Sequence, residues 1–382
     1  MDSAMSISES GLFSPANVGG LDLKNRFVMA PMTRIEAPDG ILGDEAPNYY
    51  VARVKGGTNL IIGEATLIRH PVAGHDTHLP KFYDAAPLAA WKAVVDAVHA
   101  AGGKFMPQIW HEGLIRIPRP ETRERLPEPD EPSVSPSGIA AEPYAWARTL
   151  EHAEIEQLVE AYVEAGVNAK EIGCDGVEIH GAHGYLIDAF LRAETNRRTD
   201  SWGGSLDKRA RFAVEIVKGI RSRVGPDFPI VFRFSQWTLR DYNHRLVETP
   251  TELEQVLRPL VDAGVTIFHA STRRFWDAAF EGSNRTLSGW AKDVTGLPSI
   301  SVGSVGLALD MRDQGLLADI PIGGSLDRLE QAFVNDEFDL IGLGRAILAN
   351  ADWPNRIHAG EREGFSPWTA GTLASAVLAA KR

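Results

Sequence analysis

Ile230-Val231-Phe232-Arg233-Phe234, then Thr249-Pro250-Thr251-Glu252, then Thr266-Ile267-Phe268-His269 form one unit of the chain, and its reading decides the fold. The first and last runs are short and apolar, without clear period-2 alternation, which is how strands buried on both faces read. Between them, Thr249-Pro250-Thr251-Glu252 is a capping box with proline at the first helical position. It opens an apolar stripe at helical spacing, Leu253, Val256, Leu257, Leu260 and Val261, which stops at Gly264. The unit is strand, helix, strand.

Working outward, the same kind of apolar run recurs at 26–32, 60–64, 105–109, 176–180, 299–302 and 340–343. Helical stripes lie between several of them. Leu88, Trp91, Val94, Val95 and Val98 end at Gly102-Gly103; Leu158, Val159, Tyr162 and Val163 precede Gly166. Ser325 stands where it could cap Leu326, Leu329 and Phe333. Strand–helix alternation repeated about eight times predicts an α/β fold with a parallel sheet. At this length it predicts a closed (β/α)8 TIM barrel as a single domain over residues 1–382. The rival, an open doubly wound sheet, lacks its G-x-G-x-x-G after a strand. No Ser/Gly linker divides the chain. Residues 1–10 read as a flexible N-terminal segment, and the proline-rich, charged stretch 115–144 as a long loop after the third strand. Residues 319–325 are a second irregular stretch.

Composition narrows the function. Lys and Arg total 39 against 51 Asp and Glu, a formal charge of −12, which disfavours dedicated binding to nucleic acid or an anionic membrane. The single cysteine, Cys174, excludes an internal disulfide, a thiolate zinc cluster and a cysteine-ligated iron–sulfur centre. It precedes a strand and is expected to be buried and inert. No apolar run reaches the roughly 18 residues needed to span a bilayer. The expectation is a cytoplasmic enzyme.

In a barrel, residues just past the strand ends converge on one mouth. Here these are Thr33, Glu64 and Ala65, Gln108 and Trp110, His180, His183 and Tyr185, Arg233, Ser271 and Arg273, Gly303 and Ser304, and Gly344-Arg345. No activated nucleophile and no glycosidase-like acid pair is among them. Glycines with an arginine after the seventh and eighth strands suit a phosphate held by backbone N–H groups. The other donors suit a neutral ring system bearing carbonyls and ring nitrogens. Arg233, flanked by Phe232 and Phe234, requires a partner. His75 and His78, in a Pro/Gly-bounded loop, read as solvated; Phe275 and Trp276 read as either a pocket cap or aromatic packing.

Asn25-Arg26-Phe27-Val28-Met29-Ala30-Pro31-Met32-Thr33-Arg34 resembles the first strand of the Old Yellow Enzyme family of FMN-dependent ene-reductases, which includes 12-oxophytodienoate reductases. Asp175-Gly176-Val177-Glu178-Ile179-His180-Gly181-Ala182-His183-Gly184-Tyr185-Leu186 resembles that family's active-site signature. Asn196-Arg197-Arg198-Thr199-Asp200, Trp202-Gly203-Gly204-Ser205 and Gly342-Leu343-Gly344-Arg345 fit as well. The resemblance implies that Pro31, Met32, Thr33 and Ala65 line the flavin and that Gln108 reads its pyrimidine edge. It places Arg233 at the N1/O2 side and gives the FMN phosphate to Val302, Gly303, Ser304, Gly344 and Arg345. His180, also beside the flavin, and His183 would hold a carbonyl or nitro oxygen, Trp110 would wall the pocket, and Tyr185 would donate a proton.

The implied reaction is reduction of an activated C=C bond in an α,β-unsaturated carbonyl or nitro compound by NADH or NADPH, with hydride passing through flavin N5. The cofactor would be non-covalent FMN, with no metal, and the chain a monomer or homodimer. Some members carry Asn where this chain has His183. Residues 312–325 look longer than the usual join, which weakens the phosphate assignment there. Two alternatives stay open: a metal-dependent barrel hydrolase using His180, His183 and His111, and an FMN oxidoreductase acting on amines. A barrel used only for binding is a third. The hydrolase lacks the usual His-x-His pair, which does not occur among the 11 histidines.

Overall fold

The computed structural model describes residues 11–116, 124–128, 130–139, 147–307, 322, 324–369 and 371–381. Eight parallel strands close into a barrel. They are β1 (Phe27–Met29), β2 (Leu60–Leu67), β3 (Lys104–Trp110), β4 (Val177–His180), β5 (Ile230–Ser235), β6 (Ile267–Ser271), β7 (Ser299–Val302) and β8 (Leu340–Leu343). Each pairs with the strands before and after it, and β8 pairs with β1 to complete the ring. All eight predicted runs are strands of this barrel.

Helices α1 (Ala46–Lys55), α2 (Ala85–Ala100), α3 (His152–Glu171), α4 (Leu206–Val224), α5 (Pro250–Ala263), α6 (Leu287–Thr295) and α7 (Leu326–Val334) follow the first seven strands. After β8 come α8 (Arg345–Ala349), α9 (Trp353–His358) and α10 (Thr372–Ala380). The predicted box at Thr249 forms: Glu252 N–H donates to Thr249 Oγ1 at 3.2 Å, and Thr249 N–H to Glu252 Oε2 at 3.2 Å. Gly264 ends α5 in the left-handed region. Ser325 instead accepts from the Gly306 N–H and makes no side-chain cap. On α2, Trp91, Val94, Val95 and Val98 are buried. At roughly 1.5–3 kcal/mol per large apolar side chain, that stripe fixes the helix against the sheet. None of the helices is long and apolar enough to cross a membrane, among the described residues.

The barrel's interior is divided by height. Val28, Leu60, Ile62, Met106, Val231, Ile267, Ile300 and Leu340 form an apolar layer near the strand starts. A hairpin that the sequence reading did not identify covers it from below. Its strands, Ala16–Val18 and Leu21–Leu23, pair antiparallel, and Val18, Leu21 and Leu23 join the same cluster. Gly19 (φ 57°) and Gly20 (φ 91°) make its two-residue turn. In the 115–144 stretch the described part includes Ser133–Ser135, paired with Ala147–Thr149. Residues 1–10 and most of 312–325 lie outside the described residues.

A Cβ on Gly19 would stand 2.3 Å from Ile267 Cγ1 in the packed plug, whereas one on Gly20 would meet nothing closer than 3.9 Å. Gly20→Ala should therefore cost only left-handed backbone strain, roughly 1–2 kcal/mol. Gly19→Ala adds overpacking of about 1–3 kcal/mol to the same strain. Denaturant midpoints of the two variants measure the difference; equal losses would show that the hairpin does not seat on the barrel floor.

Candidate active site

Strand parity sets the upper interior. Glu178 and His180 share the inner face of β4, as Arg233 and Ser235 do on β5, and His269 and Ser271 on β6. Gln108 of β3 donates from Nε2 to Glu178 Oε1 at 2.7 Å, and His269 Nδ1 lies 2.5 Å from Glu178 Oε2. Arg233 donates from Nη2 to Ser271 Oγ at 3.3 Å, while its buried Nε has no hydrogen-bond partner.

The turn after β4 is set by close contacts. A Cβ on Gly181 would meet the Phe232 ring at 2.3 Å, so that residue must be glycine for the turn to lie against β5. His183 takes φ +67°, a strained choice for a non-glycine residue. Its N–H donates to Ser235 Oγ at 3.0 Å, and Gly184 N–H donates to Asp188 Oδ2 at 2.6 Å. Asp188, fully buried, pairs with Arg192 at 3.0 Å. These bonds hold the strained residue in place.

That turn brings the predicted catalytic groups together. The His180 and His183 rings are 5.1 Å apart, and His180 and Tyr185 4.8 Å. Trp110 stands edge-on to Tyr185 at 4.9 Å. His180 Nδ1 accepts from Ala182 N–H at 3.3 Å, which leaves its Nε2 to carry the ring proton. His183 Nε2 shares a hydrogen bond with Ser271 Oγ at 2.8 Å, and the ring stacks on Trp237 at 4.2 Å. Burial, and then the Arg233 charge, hold both imidazoles well below the usual range. Both are neutral at pH 7.

Beside this cluster runs a cavity of about 290 Å³. Pro31, Met32, His183, Arg233, Val302, Gly303, Ser304, Gly344 and Arg345, all singled out from the sequence, line it together with Trp237 and Ser271. A Cβ on Gly344 would point toward Met32 Sδ at 3.8 Å with no nearer neighbour, so glycine keeps that wall open. Thr33 is half-buried in the loop after β1; Ala65 packs in a cluster with Trp110 and Tyr185; Gln108 sits below the mouth. A larger cavity of about 540 Å³ between α1 and α10 contains none of these residues.

Two expectations change. Glu64 does not join the mouth: a register irregularity between Ile62 and Ala65 turns it outward, where Arg34 Nε donates to it at 2.6 Å and Tyr50 at 3.2 Å. That buried ion pair ties the loop carrying Pro31–Thr33 to β2. His75 is buried and bonds Glu112 Oε1 at 2.6 Å instead of facing solvent. Of the two readings left open for Phe275, the structure shows packing: it is buried, edge-on to Trp276. His111, offered to the hydrolase alternative, bonds His70 at 2.9 Å. Among the described residues no group of three or more His, Cys, Asp or Glu is arranged to hold a metal ion. Sequence reading missed Trp237 and the Glu178–His269 pair; for the latter, strand parity around His180 was the available signal.

The family model for the NADH:flavin oxidoreductase / NADH oxidase family matches residues 11–363. The chain belongs to that family, which is the family of Old Yellow Enzyme. It is 39% identical over 353 residues to 12-oxophytodienoate reductase 2 of Arabidopsis thaliana, covering 90% of this chain and 87% of the relative. It is 33% identical over 362 residues to an NADH oxidase of Thermoanaerobacter brockii, covering 92% of this chain; it spans about half (51%) of that longer protein. Over the 57% of the chain that aligns, it is 40% identical to rice 12-oxophytodienoate reductase 7, matching 57% of that protein. Among solved structures, morphinone reductase in complex with tetrahydroNAD superposes with a TM-score of 0.77 at 29% identity, covering 95% of this chain and 94% of that one. Old Yellow Enzyme from Pichia sp. AKU4542 superposes with a TM-score of 0.78 at 25% identity, over 96% and 90%.

Two predictions follow the geometry. Arg345→Ala should weaken retention of FMN far more than of riboflavin, measured by flavin fluorescence quenching; equal losses would remove Arg345 from the phosphate. The second concerns acid. Burial lowers His111, His180, His183 and His269, and lowers His70 to about 4. The unfolded chain binds protons to these groups below about pH 6.5 while the folded chain resists. Their contribution to stability is therefore complete above that pH and is lost as pH falls toward the depressed folded values. Urea midpoints should drop between pH 7 and pH 5, and flat midpoints across that window would contradict the buried neutral state.

Proposed function

We propose that the protein is an FMN-dependent oxidoreductase that uses NADH or NADPH to reduce the activated C=C bond of α,β-unsaturated carbonyl or nitro compounds. The observation carrying this reading is the convergence of His180, His183 and Tyr185 beside a cavity bounded by Arg233 and Arg345. The donor set fits a phosphorylated flavin: a buried guanidinium with a free Nε–H, the Gln108 amide below it, and two glycine-bearing strand ends, one followed by Ser304 and the other by Arg345. The names of the relatives, 12-oxophytodienoate reductase and morphinone reductase, support a reductive role.

FMN, when bound, supplies hydride transfer from the nicotinamide to the substrate's β-carbon. His180 donates from Nε2 to the substrate oxygen, and His183 stands 5.1 Å away, ring to ring, to take the same oxygen from the other side. As neutral donors they favour the state in which that oxygen gains negative charge. Tyr185 gives its phenolic proton to the α-carbon. Trp110, edge-on to Tyr185, holds the phenol in place and excludes water.

Tyr185→Phe separates the steps. Flavin reduction by NADH or NADPH should keep its rate, since no proton from Tyr185 is needed. Reoxidation by cyclohexenone should slow by roughly 10²–10⁴-fold, the usual cost of losing a positioned general acid. A nitroalkene, whose hydride adduct is a stable nitronate able to wait for solvent, should still reoxidise the variant quickly. Stopped-flow absorbance gives all three rates; equal slowing with both oxidants would take the proton-donor role from Tyr185. Failure to turn over enones while oxidising N-methyl amines would instead favour the amine-directed alternative.

A further inference from the structure

One layer below the mouth, the barrel encloses a carboxylate that the reaction above does not use. Glu178 has no exposed surface, and the layer beneath it is apolar. Its Oε1 takes a hydrogen bond from Gln108 Nε2, and its Oε2 lies against His269 Nδ1. Burial keeps His269 below the ordinary imidazole range, so the imidazole donates a hydrogen bond without carrying a compensating charge. The cation acting on Glu178 is Arg233, which faces His180 on one neighbouring strand and His269 on the other.

Such a group is not there for stability. A buried carboxylate is costly to desolvate, and an apolar side chain of similar volume commonly serves a core as well or better. Two properties would be lost with it. The first is the orientation of an amide. Glu178 can only accept from Gln108, so Nε2 turns toward it and Oε1 turns away, presenting a carbonyl acceptor on the other side. The second is charge. Arg233 lines the cavity, and an anion held behind it reduces the positive field that reaches a ligand there.

We propose that Glu178 is a positioning residue that fixes which end of the Gln108 amide meets the flavin and, by offsetting Arg233, holds the flavin's reduction potential down. The inference rests on the flavin reading proposed above, with FMN in the cavity that Arg233 lines and its ring reaching down to Gln108. Reduction adds negative charge to the flavin, and a nearby carboxylate opposes it, so removing that charge must make reduction easier.

Two variants of the FMN-loaded enzyme separate charge from reach. Glu178→Gln keeps the shape and removes the charge; Glu178→Asp keeps the charge and withdraws the oxygens from Gln108. Glu178→Gln should raise the two-electron midpoint potential, by about 30 mV if the reduction equilibrium moves tenfold. Glu178→Asp should raise the Kd for FMN about tenfold and leave the potential nearer to wild type. A purely structural glutamate predicts lower unfolding midpoints with an unchanged potential, and an unchanged potential in folded, FMN-loaded Glu178→Gln overturns the proposal. Should that variant not fold, Glu178→Asp decides alone: an unchanged Kd for FMN overturns it. A wild-type protein that binds no FMN would instead sink the flavin reading, a result distinct from either.

Discussion

Closure of the parallel sheet is the constraint on which the rest depends. A ring of eight paired strands leaves no edge, and all its carboxyl ends face one way. Its inward side chains then meet only two environments. Below, the hairpin over Gly19 and Gly20 seals an apolar plug. Polar groups that point inward must therefore sit in the upper half and find one another. They do so in two hydrogen-bonded sets, Gln108 and His269 on Glu178, and Arg233 and His183 on Ser271.

The same geometry explains why backbone strain collects after β4. Gly181 must pass within contact distance of Phe232 on β5, which leaves the chain few ways to bring His183 back over the mouth. The left-handed backbone at His183 costs roughly 1–3 kcal/mol. Ser235, Asp188 and Arg192 supply the bonds that hold it, and the Trp237 ring backs the imidazole. A ring fixed on three sides is pre-oriented before any ligand arrives, so little ordering entropy remains to be lost on binding.

Much of this was legible in the sequence, for physical reasons that differ by element. Strands buried on both faces leave dense apolar runs, and all eight were visible. The Thr249–Glu252 box was visible because capping is local, within four residues. What escaped depended on partners far along the chain. His75 sits in a loop rich in Pro and Gly that looks solvated, yet Glu112, 37 residues on, folds against it. Glu64 follows an apolar run like other mouth residues, but a single register irregularity turns it to Arg34. The floor hairpin has strands of only three residues, too short for periodicity; its one signal was the Gly-Gly turn between Val18 and Leu21.

The electrostatics of the mouth follow from that burial, and they constrain what chemistry it suits. Arg233 cannot give up its proton at any ordinary pH, so it is a fixed cation within the enclosed interior. A protonated histidine beside it would be repelled as well as desolvated, and both effects push His180 and His183 to the neutral form. A neutral imidazole donates one hydrogen bond without attracting anions from solvent. It also lacks the readily transferred proton of an imidazolium, so in the proposed reaction the proton would come from another member of the cluster. Of the rings gathered there, Trp110 carries its hydrogen on an indole nitrogen that does not titrate in water. Tyr185 alone combines a transferable proton with contact to both His180 and Trp110. In the proposed reaction, the division of labour between two neutral histidines and one phenol would then follow from burial first and from the Arg233 guanidinium second.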